Sequence, residues 1–140
     1  MSEITPSQWA GIQGKSFEDA VHTVLRCAGW TIIADHFKVR KAEIDIVAAD
    51  PDGQVWWIEC KGSWRGKTPG LLRGDTVKKA VGVAFYLSTL EDRQPYMLIT
   101  SHLPSRGSLG DRMIKAALAA GLFQKVHEIA MGVSLNDGGI

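Results

Sequence analysis

The sequence predicts an α/β fold in which a mixed β-sheet carries helices on its faces. Three observations carry that reading: apolar residues recur at helical spacing in three separate segments, other segments alternate or run apolar as strands do, and an Asp-Pro-Asp-Gly turn joins two of those strands. At 140 residues the chain has the commonest size of one domain, with residues 1–13 as a polar lead-in and 131–140 as a tail. Its 45% hydrophobic and 22% charged residues are ordinary globular usage and exclude a disordered chain or a coiled coil.

The elements follow in order. Ser16 caps a first helix, with Asp19 three residues on, and Phe17, Ala20, Val21, Val24, Leu25 and Ala28 form its apolar stripe up to Gly29. Trp30 to Ala34 reads as a strand. Ala42 to Ala48 alternates in period two, Asp50-Pro51-Asp52-Gly53 is a turn, and Val55 to Lys61 returns, so the two strands form a hairpin. Residues 62–74 form a loop with four glycines and a proline. A helix from Asp75 or Thr76 to about Leu87, a strand from Tyr96 to Thr100, a helix from Asp111 to Ala120 and a short strand from Val126 to Ile129 complete the order.

The two cysteines, Cys27 and Cys60, have no CxxC spacing, which excludes a disulfide scaffold and fits a reducing compartment. The first residues have neither the basic nor the apolar region of a secretory signal, and the longest apolar run, Ala80 to Leu87, is far too short to span a bilayer. A soluble cytoplasmic protein with no membrane partner is expected.

Net charge is +1, but it is unevenly spread. Between Lys61 and Lys79 six basic residues face a single acid, Asp75, a local charge of +5. Such a stretch fits either a polyanion-binding surface or a solvated loop.

Period-two geometry decides what the hairpin displays. Val55, Trp57, Glu59 and Lys61 share one face of the returning strand, and Glu43, Asp45 and Val47 share one face of the strand before it, opposite Ile44, Ile46 and Ala48. Asp45, Glu59 and Lys61 are therefore expected to converge. Two neighbouring carboxylates repel, and a hard divalent cation such as Mg²⁺ relieves that repulsion. A cross-strand ion pair is the plainer alternative. Glu18 lies in the first turn of a helix, where the dipole favours an acid. His22, four residues on, shares its face.

Asp45 followed by Glu59-Cys60-Lys61 resembles the signature of the restriction-endonuclease-like nucleases, the PD-(D/E)XK superfamily. Gly14-Lys15-Ser16-Phe17-Glu18 looks like that family's helix-borne glutamate, and Glu43 to Ala48 with Ile58 to Gly62 resembles its Holliday-junction-resolvase and Mrr-type branch. Ile44 stands where the motif's proline would be, and Ala42 where a glycine is often found. The resemblance covers about residues 14–100 and implies an α-β-β-β-α-β core within a single nuclease domain over 14–130. It implies catalytic roles for Glu18, Asp45, Glu59 and Lys61. Mg²⁺, with Mn²⁺ able to substitute, would be held by Asp45, Glu59, the Cys60 backbone carbonyl and Glu18, the last through water. The expected activity is DNA hydrolysis by a metal-activated water, structure-selective, in a homodimer acting on branched DNA; an Mrr-like restriction or repair nuclease and a non-cutting nucleic-acid-binding module are the alternatives. Arg65, Lys67, Arg73, Lys78, Lys79 and Trp64 are the candidate DNA contacts, with packing as the other reading of Trp64. Trp9, Trp30, Trp56 and Trp57 are read as core or interface, and Cys60 as a buried apolar residue.

Overall fold

A computed structural model describes residues 5, 16–64 and 68–129. The lead-in with Trp9, Lys15, Arg65, Lys67 and the tail lie outside them. The elements are α1 (Phe17–Cys27), β1 (Thr31–Val39), β2 (Ala42–Ala49), β3 (Val55–Lys61), α2 (Gly74–Ser88), β4 (Tyr96–Thr100), α3 (Leu109–Ala119) and β5 (Lys125–Glu128). The sheet order is β1-β2-β3-β4-β5. The first three strands form an antiparallel meander, and β3, β4 and β5 run parallel. This is the expected α-β-β-β-α-β core with one helix and one strand added.

Local chemistry sets the boundaries. The Asp19 N–H donates to Ser16 Oγ at 3.2 Å, so Ser16 is the α1 cap, and Gly29 takes φ of 88° just beyond it. In the β2–β3 turn Asp50 Oδ1 accepts from the Asp52 and Gln54 N–H groups at 3.0 and 2.9 Å, while Oδ2 accepts from Trp56 Nε1 at 3.1 Å. β4, with a parallel neighbour on each side, is buried along its whole length and accordingly reads Tyr-Met-Leu-Ile-Thr without alternation.

Two apolar layers sandwich the sheet. Phe17, Ala20, Val21, Val24 and Leu25 of α1 pack with Ile46, Ala48, Trp56, Ile58, Met97 and Ile99. Val77, Ala80, Ala84 and Leu87 of α2 and Ile114 and Ala117 of α3 pack on Val47, Trp57, Tyr96 and Leu98.

Two expectations need correction. β1 continues to Val39, well past Ala34, because it pairs with β2 along its whole length and a second tight turn at Arg40, φ 55°, joins them. Ile44 does not share a face with Ile46 and Ala48: it packs in the layer of Val47. Strict alternation fails between Ile44 and Ile46, so Asp45 sits at a break in the pleat.

Gly62 fixes the start of the following loop. A Cβ there would lie 2.7 Å from Phe17 Cε2, so only a glycine lets the chain leaving β3 run flat across that ring. Phe17 also meets Trp64 edge-on, ring centroids 5.4 Å apart. Gly62→Ala is expected to cost about 1–3 kcal/mol through overpacking against Phe17, read as a lower midpoint in urea unfolding; an unchanged midpoint would remove this account of Gly62.

Candidate metal centre

The site begins with a backbone group. The Trp57 N–H donates to the Pro95 carbonyl at 2.9 Å, on the β4 side, so alternation turns the N–H and C=O groups of Trp56, Ile58 and Cys60 toward β2. The paired register of β2 and β3 stops at Ile46 and Ile58. Beyond that point the Cys60 N–H donates to Asp45 Oδ2 at 2.8 Å. A side-chain oxygen occupies the place of a ladder carbonyl, which pins Asp45 at the end of the hairpin. The Cys60 carbonyl is turned to the same side.

Glu59 stands beside Asp45 and is only 6% exposed. Tyr96 Oη donates to Glu59 Oε2 at 3.1 Å, and Lys61 Nζ lies 3.5 Å from Oε1. Burial above all, then the hydrogen bond and negative charge of Asp45, push the Glu59 carboxyl up to about 8, against the pull of Lys61 and Tyr96. Burial, and then the Glu59 charge, drive the Tyr96 phenol upward too, so it remains a donor. At neutral pH and without a cation, Glu59 keeps its proton. Burial pushes the Cys60 thiol well up as well, in keeping with the apolar role expected of it.

On the other side of Asp45, the donor atoms of Glu18, His36 and Asp45 all lie within 4.8 Å of one another. Burial first, and Asp45 second, raise the Glu18 carboxyl above its usual range. Asp45, Glu59 and Lys61, expected to converge, stand together, and Glu18, which entered through the family resemblance, meets Asp45 along with His36. His22 pairs with Asp35 beside Glu18, and Ser16, Glu18, Asp19, His22, Asp35 and His36 line a cavity of about 220 Å³.

A second, larger cavity of about 510 Å³ adjoins Lys61. Lys61, Arg73, Thr76 and Lys79 give it a basic lining, with Gly62, Ser63 and Gly70 as its backbone. Two of the expected DNA contacts, Arg73 and Lys79, therefore face a groove that begins at Lys61. Lys78 is exposed on α2 but outside that lining, because the next position on a helix turns about 100° away. Trp64 takes the packing alternative, its ring held by Phe17.

Tyr96 and His36 were not legible as site residues. Tyr96 lies in an all-buried strand where an aromatic residue is ordinary, and only the parallel register, which sets Trp57 opposite Tyr96, brings its hydroxyl to Glu59. His36 lies beyond the expected end of the first strand; a histidine next to Asp35 was the one available signal.

The profile described as "Uncharacterised protein family UPF0102" matches residues 17–80, the stretch from α1 into α2 that carries Glu18, Asp45, Glu59 and Lys61. A search of curated proteins gives no match. The fold is a five-stranded mixed sheet flanked by helices, the α/β class expected. Among solved structures the chain resembles a repair endonuclease from Pyrococcus abyssi (18% identity, TM-score 0.48, covering 93% of this chain and 49% of that one). It also resembles EndoMS in complex with double-stranded DNA (14%, 0.47, 93% and 46%) and SfsA of Pyrococcus furiosus in complex with Ca²⁺ (18%, 0.47, 92% and 61%). The chain thus spans about half the length of the first two and about three-fifths of the third. No helix among the described residues is long and apolar enough to cross a membrane.

The proton on Glu59 has a consequence for stability. With a carboxyl near 8 in the folded chain, and near 4.3 when unfolded, the folded state holds more protons between those values, so stability is fully present below about 4.3 and falls as pH rises to about 8. The metal-free protein should therefore melt at progressively lower temperature across that window, and Glu59→Gln should flatten the dependence. Parallel pH profiles for the two proteins would contradict the assignment.

Proposed function

We propose that the protein is a divalent-metal-dependent DNA endonuclease hydrolysing phosphodiester bonds. The observation that carries this reading is Asp45 standing between the carboxylate of Glu18 and the Glu59–Lys61 pair, next to a groove lined by Arg73 and Lys79. The donor set is rich in hard oxygen and suits a divalent cation. Asp45, Glu18 and the Cys60 carbonyl would hold the ion, and Glu59 would join them on giving up its proton. Such an ion, when bound, lowers the pKa of a water and stabilises charge on the phosphoryl oxygens.

The remaining roles belong to the chain. Lys61, 3.5 Å from Glu59, has an ammonium that can hydrogen-bond a water or a phosphate oxygen at the mouth of the basic groove. Tyr96 keeps Glu59 turned toward Asp45. Arg73 and Lys79 neutralise backbone phosphates, which fixes the DNA without reading its sequence. The water oxygen bonds to phosphorus as the bond to the leaving oxygen breaks, with no covalent enzyme intermediate.

Within this reading we take the enzyme to be structure-selective, of the Holliday-junction-resolvase type, acting in the cytoplasm as a homodimer so that two strands are cut symmetrically. A substrate panel with Mg²⁺ or Mn²⁺ separates the alternatives: preferred cutting of four-way junctions supports it, preferred cutting of linear duplex indicates an Mrr-like restriction or repair nuclease, and binding without cutting indicates a non-catalytic module.

Asp45→Asn and Lys61→Ala should each lower the cleavage rate by at least about 10²-fold while leaving DNA affinity within a few fold; unchanged cleavage in Asp45→Asn would end the enzyme reading. The double change Arg73→Ala with Lys79→Ala should weaken DNA binding for all sequences alike and reduce the slope of log K against log salt by roughly two. A slope equal to that of the parent would take the groove out of the DNA interface.

A further inference from the structure

Within the metal centre proposed above, and resting on that reading, one residue has no role yet. His36 lies in the middle of the edge strand β1, at φ 48°. That is the left-handed region, where a non-glycine residue is uncommon and an observed outlier points toward function. The conformation turns the ring off the strand toward α1 and β2. Nε2 lies 3.7 Å from Glu18 Oε1, and Nδ1 lies 3.6 Å from Glu43 Oε1.

These distances leave room for an ion between the donors. Donors held about 2.1 Å from an octahedral ion stand about 3.0 Å apart when adjacent and about 4.2 Å apart when opposite. The Nε2–Oε1 separation of 3.7 Å is less than 1 Å from either value, and Asp45 brings its oxygen within the same 4.8 Å group. The second ring nitrogen faces a carboxylate, which is how metal-binding histidines are oriented: the far N–H points to an acid that fixes the ring and raises its basicity. Glu43 fills that place and is itself held by Lys38 Nζ at 3.6 Å.

We infer that His36 is a direct ligand of the metal centre, with Glu18 and Asp45, and that its nitrogen makes the centre favour first-row transition ions such as Mn²⁺ and Co²⁺ over Mg²⁺. Mg²⁺ prefers oxygen and keeps its waters, whereas imidazole binds transition ions well. The expectation of Mg²⁺ as the preferred ion follows from the hairpin carboxylates alone; the imidazole changes the donor set. His22, the other histidine of the adjoining cavity, is held by Asp35 and is the natural control.

The experiment is pulsed electron paramagnetic resonance on the purified full chain loaded with Mn²⁺, together with calorimetric titrations of Mn²⁺ and Mg²⁺. Wild type should give the nitrogen modulation of a directly bound imidazole. His36→Asn, chosen because asparagine tolerates the left-handed backbone, should abolish it, and His22→Gln should keep it. Mn²⁺ affinity should drop at least roughly tenfold in His36→Asn, while Mg²⁺ affinity changes much less, so that the preference for Mn²⁺ collapses. Mn²⁺ that binds in wild type, is lost in Asp45→Asn and yet shows no bound nitrogen would overturn the role of His36 and leave the metal centre intact. Nitrogen modulation that persists in His36→Asn would also overturn it. Mn²⁺ binding indifferent to Asp45→Asn would sink the centre itself, and this inference with it.

Discussion

The hydrogen bond from the Cys60 N–H to Asp45 Oδ2 is the constraint on which the site depends. Burying a carboxylate among Ile, Val and Trp strands costs several kcal/mol unless its oxygens find donors. Here one donor is a main-chain N–H that the β2–β3 ladder would otherwise pair with a carbonyl, and another is the proton carried by Glu59. Because the anchor belongs to a strand backbone, Asp45 is held as rigidly as the sheet. The break in alternation between Ile44 and Ile46 is the structural counterpart of that substitution. It frees Asp45 from either apolar layer and lets it meet groups from both.

Those groups arrive by separate routes, and the core ties them to one another. Glu18 comes from α1, whose Phe17 packs against both Gly62 and Trp64. That contact joins the helix to the chain leaving Lys61, so the acid of the first turn and the amine of β3 share one packing arrangement. Glu59 comes from the layer that α2 and α3 cover, where Tyr96 donates to it. The loop from Gly62 to Arg73 is fastened to the end of β4 by the Ser63 N–H on Ser101 Oγ and the Leu71 N–H on the His102 carbonyl. This fastening sets the basic groove beside Lys61.

What could be read from the sequence follows the range of each interaction. Ser16 as a cap, the Asp50–Gly53 turn and the limits of β3 and β4 are local effects of side chain on backbone, and they stand as expected. The convergence of Asp45, Glu59 and Lys61 follows from hairpin geometry over fifteen residues and also stands. The failures need longer reach. Ile44 lies in the layer of Val47 and not in that of Ile46, a break that strict period-two alternation does not contain. Tyr96 reaches Glu59 only through a parallel pairing 37 residues away in sequence. His36 required the true length of β1, which a turn of Arg40 and Lys41, without glycine or proline, did not announce.

On the proposed reading a proton and a cation compete here. Glu18, Asp45 and Glu59 would bring three negative charges together against one lysine. Without a metal ion the charge is relieved by protonation, and burial above all places the proton on Glu59. The proposed cation would supply the same relief between Asp45 and Glu18 and so lower the need for the proton on Glu59. Ion binding and ionisation of Glu59 are therefore coupled through one carboxylate. In the proposed centre, the half that faces the basic groove would become fully charged only when the other is filled.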